Sequence, residues 1–202
     1  MKTSHIVIKG LFDLLLALLV IVLVSPIILI AWIMASIETK SNGFFVQNRI
    51  GKGGELFALI KIKTMKPMHG INTNVTQIND LRITKCGAFF RKTKIDELPQ
   101  LWNVLIGQMS FVGPRPDMPG YADKLVEDDR IILSIRPGIT GPSSLKYKNE
   151  EELLSKQDNP EKYNDEVIWP DKIKINIEYI NKWSLMNDIR YIFLTIFGGY
   201  EQ

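Results

Sequence analysis

The sequence predicts an α+β domain that is held at a membrane by one N-terminal apolar segment. Three observations lead to this fold class. The first is a stretch of 24 residues without a charged side chain, Leu14 to Ile37. The second is the ordinary soluble composition of the rest of the chain, since 44 of the 47 charged residues lie in the last 165 positions. The third is a strand-type alternation that precedes two helical apolar stripes.

Residues 1–40 are predicted to form a membrane helix and residues 41–202 one further domain. Twenty-four residues at 1.5 Å each span about 36 Å, enough for a hydrocarbon core of about 30 Å. Ser25-Pro26 lies at the midpoint, where the proline leaves the Val22 carbonyl without its helical donor. Basic residues flank both ends, so the positive-inside rule selects neither orientation. These balanced flanks favour a re-entrant helix-break-helix over a kinked spanning helix. A cleaved signal peptide is disfavoured, because the stretch is longer than the usual apolar region of such a peptide and lacks a small-x-small site near its end.

The next predicted element is a small β-hairpin. Residues 44–49 and 56–65 carry strand-type patterns on either side of a glycine-rich turn. Lys61 and Lys63 are predicted to share one face of the second strand, because side chains alternate along a strand. The adjoining polar stretch, residues 68–79, predicts a loop.

A helix ending near Arg91 and two amphipathic helices come after the loop. The first amphipathic helix is predicted to begin near Asp96 and to end at Gly107, with an apolar stripe of Leu98, Leu101, Trp102 and Leu105. The second is predicted to begin after the N-cap Ser184 and to end at Gly198-Gly199, with a stripe of Leu185, Ile189, Ile192, Phe193, Ile196 and Phe197. Each stripe can face the protein core or lie in the lipid interface, and both alternatives stay open.

Charge is distributed unevenly along the chain. Residues 61–94 contain eight Lys or Arg and one acid, a local net charge of +7, whereas residues 117–171 carry a local net charge of −6. The basic segment suits anionic ligands such as phosphorylated substrates or anionic lipid headgroups. Nucleic acid is not expected, because the chain has none of the recognisable binding motifs. The lone Cys86 excludes an intrachain disulfide.

The candidate chemistry centres on two adjacent carboxylates, Asp96 and Glu97. The pair alone says little, since acids are favoured at helix N-termini. Here, however, it lies between a cluster of cations and a rigid Gly-Pro-Arg-Pro turn that contains Arg115. Carboxylates beside phosphate-binding cations usually hold a divalent metal, act as a nucleophile toward phosphorus, or do both. Neighbouring helical side chains point about 100° apart, so the two carboxylates are expected to have different roles.

Five segments occur in an order that resembles a known family. They are Ser25-Pro26 in the apolar helix and residues 61–65 (KIKTM), 91–105 (RKTKIDELPQLWNVL), 109–116 (MSFVGPRP) and 136–141 (RPGITG). Together they resemble the bacterial sugar transferase family, the monotopic phosphoglycosyl transferases that start lipid-linked glycan assembly. The resemblance runs in order from about Phe12 to Thr195.

The resemblance implies a two-step transfer. Asp96 would attack the β-phosphate of a UDP-sugar and release UMP, and polyprenyl (undecaprenyl) phosphate would then take the phosphosugar from the aspartyl intermediate. Glu97 would assist by binding Mg²⁺ or by transferring a proton, and these two roles stay open. By the same comparison, Asp96 and Glu97 are the expected Mg²⁺ ligands, and Lys61, Arg91 and Arg115 are the expected phosphate-binding residues.

The family likeness also implies a location. It supports the re-entrant path with its break at Ser25-Pro26, and it places the catalytic domain, with interfacial amphipathic helices, on the cytoplasmic face of the bacterial inner membrane. Inner-membrane lipids are then partners, and a homo-oligomer is possible.

The chain departs from the family pattern in two places. Residues 142–171 replace a stretch that many relatives share, and they are a candidate for donor-sugar recognition. Asn176 stands where relatives often carry an acid, so any role of that acid is expected to be reduced or moved to Glu178.

Two other function classes fit the sequence less well. A membrane-tethered binding module without turnover is disfavoured, because both carboxylates and all three basic positions are present. A soluble nucleotide-sugar enzyme with an incidental anchor lacks a supporting Gly-x-Gly-x-x-Gly sequence.

Overall fold

The computed structural model describes residues 1–66 and 80–198. The helices and strands in chain order are α1 (Thr3–Thr39), β1 (Phe44–Ile50), β2 (Leu56–Ile62), α2 (Lys85–Thr93), α3 (Gln100–Leu105), β3 (Ser110–Val112), β4 (Gly138–Thr140), α4 (Pro142–Lys146), α5 (Glu150–Ser155), α6 (Pro160–Tyr163), α7 (Trp169–Asn181) and α8 (Leu185–Phe197). The loop predicted at residues 68–79 lies outside the described residues, as does Gly199.

The apolar segment forms α1, a single helix of 37 residues that continues through Pro26. The Ser25 hydroxyl donates to the Val22 carbonyl at 3.0 Å, and this is the carbonyl that Pro26 leaves without its backbone donor. Because this bond satisfies the orphaned acceptor, the helix runs on without a gap. The structure does not divide the segment into two helices, and the re-entrant path stays a prediction. Within the described part of the chain, α1 is the one helix long and apolar enough to cross a membrane.

Helix α1 lies against the rest of the protein along one narrow face. The buried residues of that face are Lys9, Asp13, Ala17, Ala31, Ala35 and Thr39. Ala17 packs in a cluster with Phe57 and Leu59, whereas Ala31 and Ala35 pack in another with Ile62 and Phe90. Small side chains let the helix backbone approach the domain closely. The other faces of α1 expose leucine, isoleucine and valine side chains.

The predicted β-hairpin is confirmed. Strands β1 and β2 pair antiparallel, with Phe45 opposite Lys61 and Arg49 opposite Phe57. The second strand ends at Ile62, earlier than predicted, so Lys63 lies just beyond it, and the predicted face shared with Lys61 stays a prediction. Lys63 donates to the Ser41 hydroxyl at 2.9 Å. A second, two-stranded sheet joins β3 and β4 in parallel.

The helix predicted to begin near Asp96 begins later. Ile95–Glu97 form a 3₁₀ turn, and α3 starts at Gln100. The physical reason is Pro99, which has no N–H to donate to the Ile95 carbonyl. The Leu98 N–H donates to that carbonyl instead, at 3.2 Å, and closes the tighter turn. The predicted stripe is also divided, because Leu101 is buried and Trp102 is 52% exposed.

The predicted boundaries of the last helix are confirmed. The Ser184 hydroxyl accepts a bond from the Asn187 N–H at 3.2 Å, and Gly198, at a φ of +75°, ends α8. Leu185 and Ile192 pack against the main core. The remaining members of the stripe are exposed, namely Ile189, Phe193, Ile196 and Phe197. This exposure favours the interfacial alternative for α8.

A buried polar network joins the two ends of the described chain. The Lys9 ammonium donates to Asp188 at 2.6 Å, and the Tyr179 hydroxyl and the Trp183 indole donate to the same carboxylate at 2.6 and 3.0 Å. Asp188 is fully buried. Nearby, Asp13 accepts a bond from the Phe111 N–H at 3.1 Å. Helix α1 is therefore attached to α8 and β3 through charged and polar groups, and Tyr179 of α7 joins the network through Asp188.

Candidate functional site

The Gly-Pro-Arg-Pro turn is held by a close backbone approach. The Gly113 N–H donates to the Thr140 carbonyl at 2.9 Å, and the Gly138 N–H donates to the Pro114 carbonyl at 2.8 Å. A Cβ atom at Gly138 would overlap the backbone nitrogen of Gly113. The two glycine-containing segments, residues 109–116 and 136–141, therefore pack backbone against backbone and fix the position of Arg115.

The two adjacent carboxylates lie on the 3₁₀ turn that comes directly after α2. Lys94 ends α2 in the left-handed conformation, with a φ of +60°. The Glu97 N–H then donates to the Lys94 carbonyl at 3.1 Å. In this tight turn the side chains of Asp96 and Glu97 diverge and meet different neighbours, as the sequence predicted.

Glu97 is held by two cations at one oxygen. Its Oε1 accepts from the Arg115 guanidinium at 2.8 Å and from the Lys61 ammonium at 3.2 Å. Burial alone would raise the pKa of Glu97, but the charges of Arg115, Lys61 and Lys94 outweigh burial and hold this pKa well below its usual range. Glu97 is therefore a fixed anion that orients both basic side chains.

Asp96 is buried and differs in its surroundings. It is 8% exposed, and its Oδ1 has no hydrogen-bond partner among the described residues. Burial, and next the charge of Glu97, raise the pKa of Asp96, while Lys61, Lys94 and Arg91 oppose the rise. A carboxylate oxygen without a partner is a poorly stabilised anion and is available to a ligand or an electrophile.

The five site residues that the sequence indicated come together in the structure. Lys61 and Arg115 contact Glu97 directly, and half of the Arg115 side chain, 47%, is exposed. Burial lowers the pKa of Lys61, against the opposing charge of Glu97. Arg91, in the last turn of α2, lies near enough for its charge to act on Asp96. The arrangement places three cations around two carboxylates, which suits a phosphorylated ligand.

The Mg²⁺ expected from the family resemblance can be tested against these residues. The described ranges contain no group of three or more His, Cys, Asp or Glu side chains placed to hold one ion. Mg²⁺ is commonly held by one or two carboxylates together with substrate phosphates. Asp96, with its unpartnered Oδ1, fits such a ligand. Glu97 lies beside it, with Oε1 already bound by two cations.

Comparison with known proteins identifies the family. The family model described as bacterial sugar transferase matches residues 4–201. The chain belongs to the bacterial sugar transferase family.

Three relatives of this sugar transferase illustrate its similarities. A UDP-glucose:undecaprenyl-phosphate glucose-1-phosphate transferase of Escherichia coli is 34% identical, over 93% of this chain and 39% of the relative. The uncharacterized sugar transferase EpsL of Bacillus subtilis is 33% identical, over 94% and 86%. A putative undecaprenyl-phosphate N-acetylgalactosaminyl 1-phosphate transferase of B. subtilis is 42% identical, over 61% and 70%. The chain thus spans about two fifths of the E. coli relative's length.

Two charged residues of the sugar transferase site are not indicated by the sequence alone. Arg49, on β1, donates to the Pro116 carbonyl at 3.4 Å. Asp117 comes directly after the Gly-Pro-Arg-Pro turn, and burial raises its pKa to about 6 against the charges of Lys172, Arg49 and Arg115. The predicted hairpin could have indicated Arg49. Its register places residues 45, 47 and 49 on the same face of the hairpin as Lys61, because side chains alternate along each strand.

The region that departs from the family pattern lies beside this site. Residues 142–171 form α4, α5, α6 and a π-helical segment. Glu150 of α5 pairs with Lys172 at 2.6 Å, and the charge of Glu150 raises the pKa of Arg115 after the larger effects of Glu97 and Asp117. Glu150 is thus near enough for its charge to act on Arg115, and a role of the whole region in donor recognition stays a prediction.

The two residues considered for the family's missing acid lie elsewhere. Asn176 is buried in α7 and accepts a bond from the Ser143 hydroxyl at 3.0 Å. Glu178 pairs with Lys182 at 2.8 Å on the exposed side of the same helix, so it does not take over a role in the site. The reason is helical geometry, since two residues along a helix turn the side chain through about 200°.

Proposed function

We propose that this chain transfers a sugar-phosphate group from a UDP-sugar to polyprenyl phosphate and gives polyprenyl-diphosphate-sugar and UMP. The relatives named for glucose-1-phosphate and N-acetylgalactosaminyl 1-phosphate transfer to undecaprenyl phosphate support this reaction class. The observation that carries the proposal is Asp96, a buried carboxylate with an unpartnered oxygen on which the charges of Lys61, Lys94 and Arg91 act.

In the first step, an oxygen of the Asp96 carboxylate attacks the β-phosphorus of the donor. A bond forms between that oxygen and phosphorus, the bond from phosphorus to the bridging oxygen breaks, and UMP leaves with the electron pair. The weakly stabilised Asp96 anion is suited to attack. Arg91, Lys61 and Arg115 offset the charge that develops on the phosphate oxygens.

In the second step, a phosphate oxygen of polyprenyl phosphate attacks the same phosphorus. The acyl-phosphate bond breaks, and the electron pair returns to the Asp96 carboxylate. Glu97 acts throughout as the anion that holds Lys61 and Arg115 in place. When Mg²⁺ is bound, with Asp96 as the ligand that fits best, it supplies charge neutralisation at the phosphates.

We also propose that α1 is re-entrant and that the catalytic domain lies at the cytoplasmic face of the bacterial inner membrane. The support is that both halves of α1 contact the same domain. Lys9 pairs with Asp188 near one end, and Ala35 and Thr39 are buried near the other. A straight helix crossing the bilayer would carry one of these ends to the opposite side, away from its contacts.

The reaction is tested by UMP release. The purified protein is supplied with a panel of UDP-sugars, Mg²⁺ and undecaprenyl phosphate, and we expect UMP with at least one donor. Asp96→Asn, which keeps the size of the side chain but not its charge, should reduce release by about 10³-fold or more. Asp128→Asn, on an exposed surface, is the control. No UMP with any donor, or undiminished release by Asp96→Asn, contradicts the mechanism.

The topology is tested by cysteine labelling. In a Cys86→Ser background, Ser4→Cys and Ser41→Cys flank α1, and Ser25→Cys lies at its midpoint. We expect a membrane-impermeant thiol reagent to label positions 4 and 41 only when it has access to the cytoplasmic side, and not to label position 25. Labelling of positions 4 and 41 from opposite sides of the membrane would contradict the re-entrant path and support a spanning helix.

A further inference from the structure

Arg49 lies on the face of the hairpin that carries Lys61. Residues 45, 47 and 49 of β1 stand opposite Lys61, Leu59 and Phe57 of β2, and directly paired residues share a face. Both Arg49 and Lys61 are half-buried. The hairpin therefore presents two cations to the side on which Glu97 and Arg115 lie.

The hydrogen bonds of Arg49 go to neutral acceptors. One terminal nitrogen donates to the Pro116 carbonyl at 3.4 Å, and the other donates to the Gln47 side-chain oxygen at 2.9 Å. The Nε atom is buried and has no hydrogen-bond partner in the described part of the chain. Unlike Lys61 and Arg115, Arg49 forms no ion pair with a described carboxylate.

Three basic residues line a small cleft. The residues that line it are Arg49, Leu59, Lys61, Gln100, Arg115 and Pro116, and no acid is among these six. Burial, and next the charge of Arg115, lower the pKa of Arg49, while Asp117 and Glu97 oppose this effect. Two guanidinium groups that face one cleft repel each other unless an anion lies between them. The cleft thus has the charge and the free donor that a phosphate group requires.

We propose that Arg49 binds phosphate oxygens of the substrate and completes a cradle with Lys61 and Arg115. A guanidinium group suits this task, because its planar N–H donors match phosphate oxygens in pairs. The inference rests on the proposed function and extends it to a residue on a different strand. The phosphate belongs either to the donor diphosphate or to the polyprenyl phosphate acceptor, and the experiment separates these sources.

The first arm measures binding without turnover. UDP is titrated by calorimetry, with Mg²⁺, into the detergent-solubilised full chain. We expect Arg49→Gln to weaken UDP binding at least tenfold and Arg49→Lys to weaken it less, because lysine keeps the charge. Arg130→Gln, which removes an exposed arginine from the 3₁₀ helix Glu127–Ser134, is the matched control and should bind UDP as the wild type does.

The second arm measures the two substrates in turnover. A tenfold or larger rise in the KM for the UDP-sugar assigns Arg49 to the donor phosphates. The same rise confined to polyprenyl phosphate, with UDP affinity unchanged, assigns it to the acceptor phosphate. Either result supports the proposal. Unchanged UDP affinity together with unchanged KM for both substrates overturns it.

Thermal unfolding separates binding from a structural role. We expect Arg49→Gln, without ligand, to keep or raise the Tm, because a half-buried guanidinium group with no ion pair to a described carboxylate is removed. A lower Tm with unchanged affinities would make Arg49 a structural bridge to Pro116 and overturn the proposal.

A final titration keeps the proposal independent of the reaction. If the wild type neither releases UMP nor binds UDP, the proposed function fails, and inorganic pyrophosphate is titrated instead. Pyrophosphate binding that Arg49→Gln abolishes still supports the anion site. Absence of pyrophosphate binding to the wild type overturns it.

Discussion

At the scale of single residues, the two neighbouring carboxylates show how position along a tight turn decides chemistry. Asp96 and Glu97 have the same charge and adjacent places in the sequence. Glu97 meets two cations at 2.8 and 3.2 Å, whereas Asp96 is buried with an oxygen that no described residue binds. Their pKa values move in opposite directions as a result. Divergence of this kind commonly separates the roles of paired catalytic acids.

Asp117 provides a prediction about pH. Its pKa is about 6 in the folded chain, against 3.8 for an ordinary aspartate. Between these values the folded chain keeps a proton that the unfolded chain has lost, so stability falls as the pH rises from about 4 to about 6. Asp117→Asn mimics the protonated form. We expect it to raise the Tm at pH 7 by about 2–4 °C and to leave the Tm at pH 4 nearly unchanged.

The measurement for Asp117 is thermal unfolding in detergent across pH 4–7. Asp128→Asn, which changes an exposed carboxylate, controls for the loss of one negative charge. A Tm change of equal size at both ends of the pH range would contradict the assignment to Asp117.

The sequence predicted some residues of the candidate site and not others. Asp96, Glu97 and Arg115 stand in long segments that resemble a family, so their positions were predicted, and the structure gathers them. Arg49 and Asp117 were not, because their importance depends on which strand faces which turn. A strand arginine is recognisable as part of a site only once the hairpin register places it on the same face as Lys61.

At the scale of elements, the packing of β3 against β4 positions Arg115. Glycine is required at position 138, since a Cβ there would overlap the Gly113 nitrogen and the Thr140 carbonyl oxygen. We expect Gly138→Ala to separate the two strands, to destabilise the fold by about 1–3 kcal/mol and to lower kcat/KM for sugar-phosphate transfer at least 100-fold.

Gly10→Ala is the matched control for this substitution. An added Cβ on Gly10 meets only the Arg136 side chain, at an ordinary distance of 3.8 Å, and alanine favours a helix. Unfolding and UMP release are measured for both variants. Equal losses of activity in the two would show that the effect does not come from the β3–β4 contact.

The boundaries of elements agree with the local sequence where a local rule decides them. Ser184 and Gly198 begin and end α8 as predicted, because capping and a left-handed C-terminal residue depend on adjacent atoms. The start of α3 was predicted too early, since Pro99 removes a donor within the apparent apolar period. Which stripe faces the core also depends on tertiary contacts, and Trp102 is exposed although its neighbour Leu101 is buried.

At the scale of the whole molecule, one narrow face of α1 packs against the rest of the protein. The sequence predicts a boundary at residue 40, and that boundary reflects composition. The packing, by contrast, places Ala17, Ala31 and Ala35 in clusters with residues of β2 and α2. Long-range contacts of this kind have no local signature, so the sequence pattern does not contain them.

Lys9 gives the prediction at this scale. Lys9→Met removes the cation from the fully buried Asp188 and leaves that carboxylate with only neutral donors, Tyr179 and Trp183. We expect a loss of about 3–5 kcal/mol in the free energy of unfolding. Lys182→Met breaks the exposed pair with Glu178 and should cost less than about 1 kcal/mol. Denaturant unfolding in detergent compares the two, and losses of similar size would contradict a stabilising role for the buried pair.

The Lys9–Asp188 pair also constrains the order of events during synthesis. Its members are 179 residues apart, and at about 5–20 residues per second a ribosome needs about 10–35 s to make that stretch. During this interval α1 has already been made, while Asp188, the carboxylate partner of Lys9, does not yet exist. The long and flexible Lys9 side chain can keep its ammonium group in water until α8 is made. Closure of the pair is therefore among the last steps of folding, and it joins the first described helix to the last.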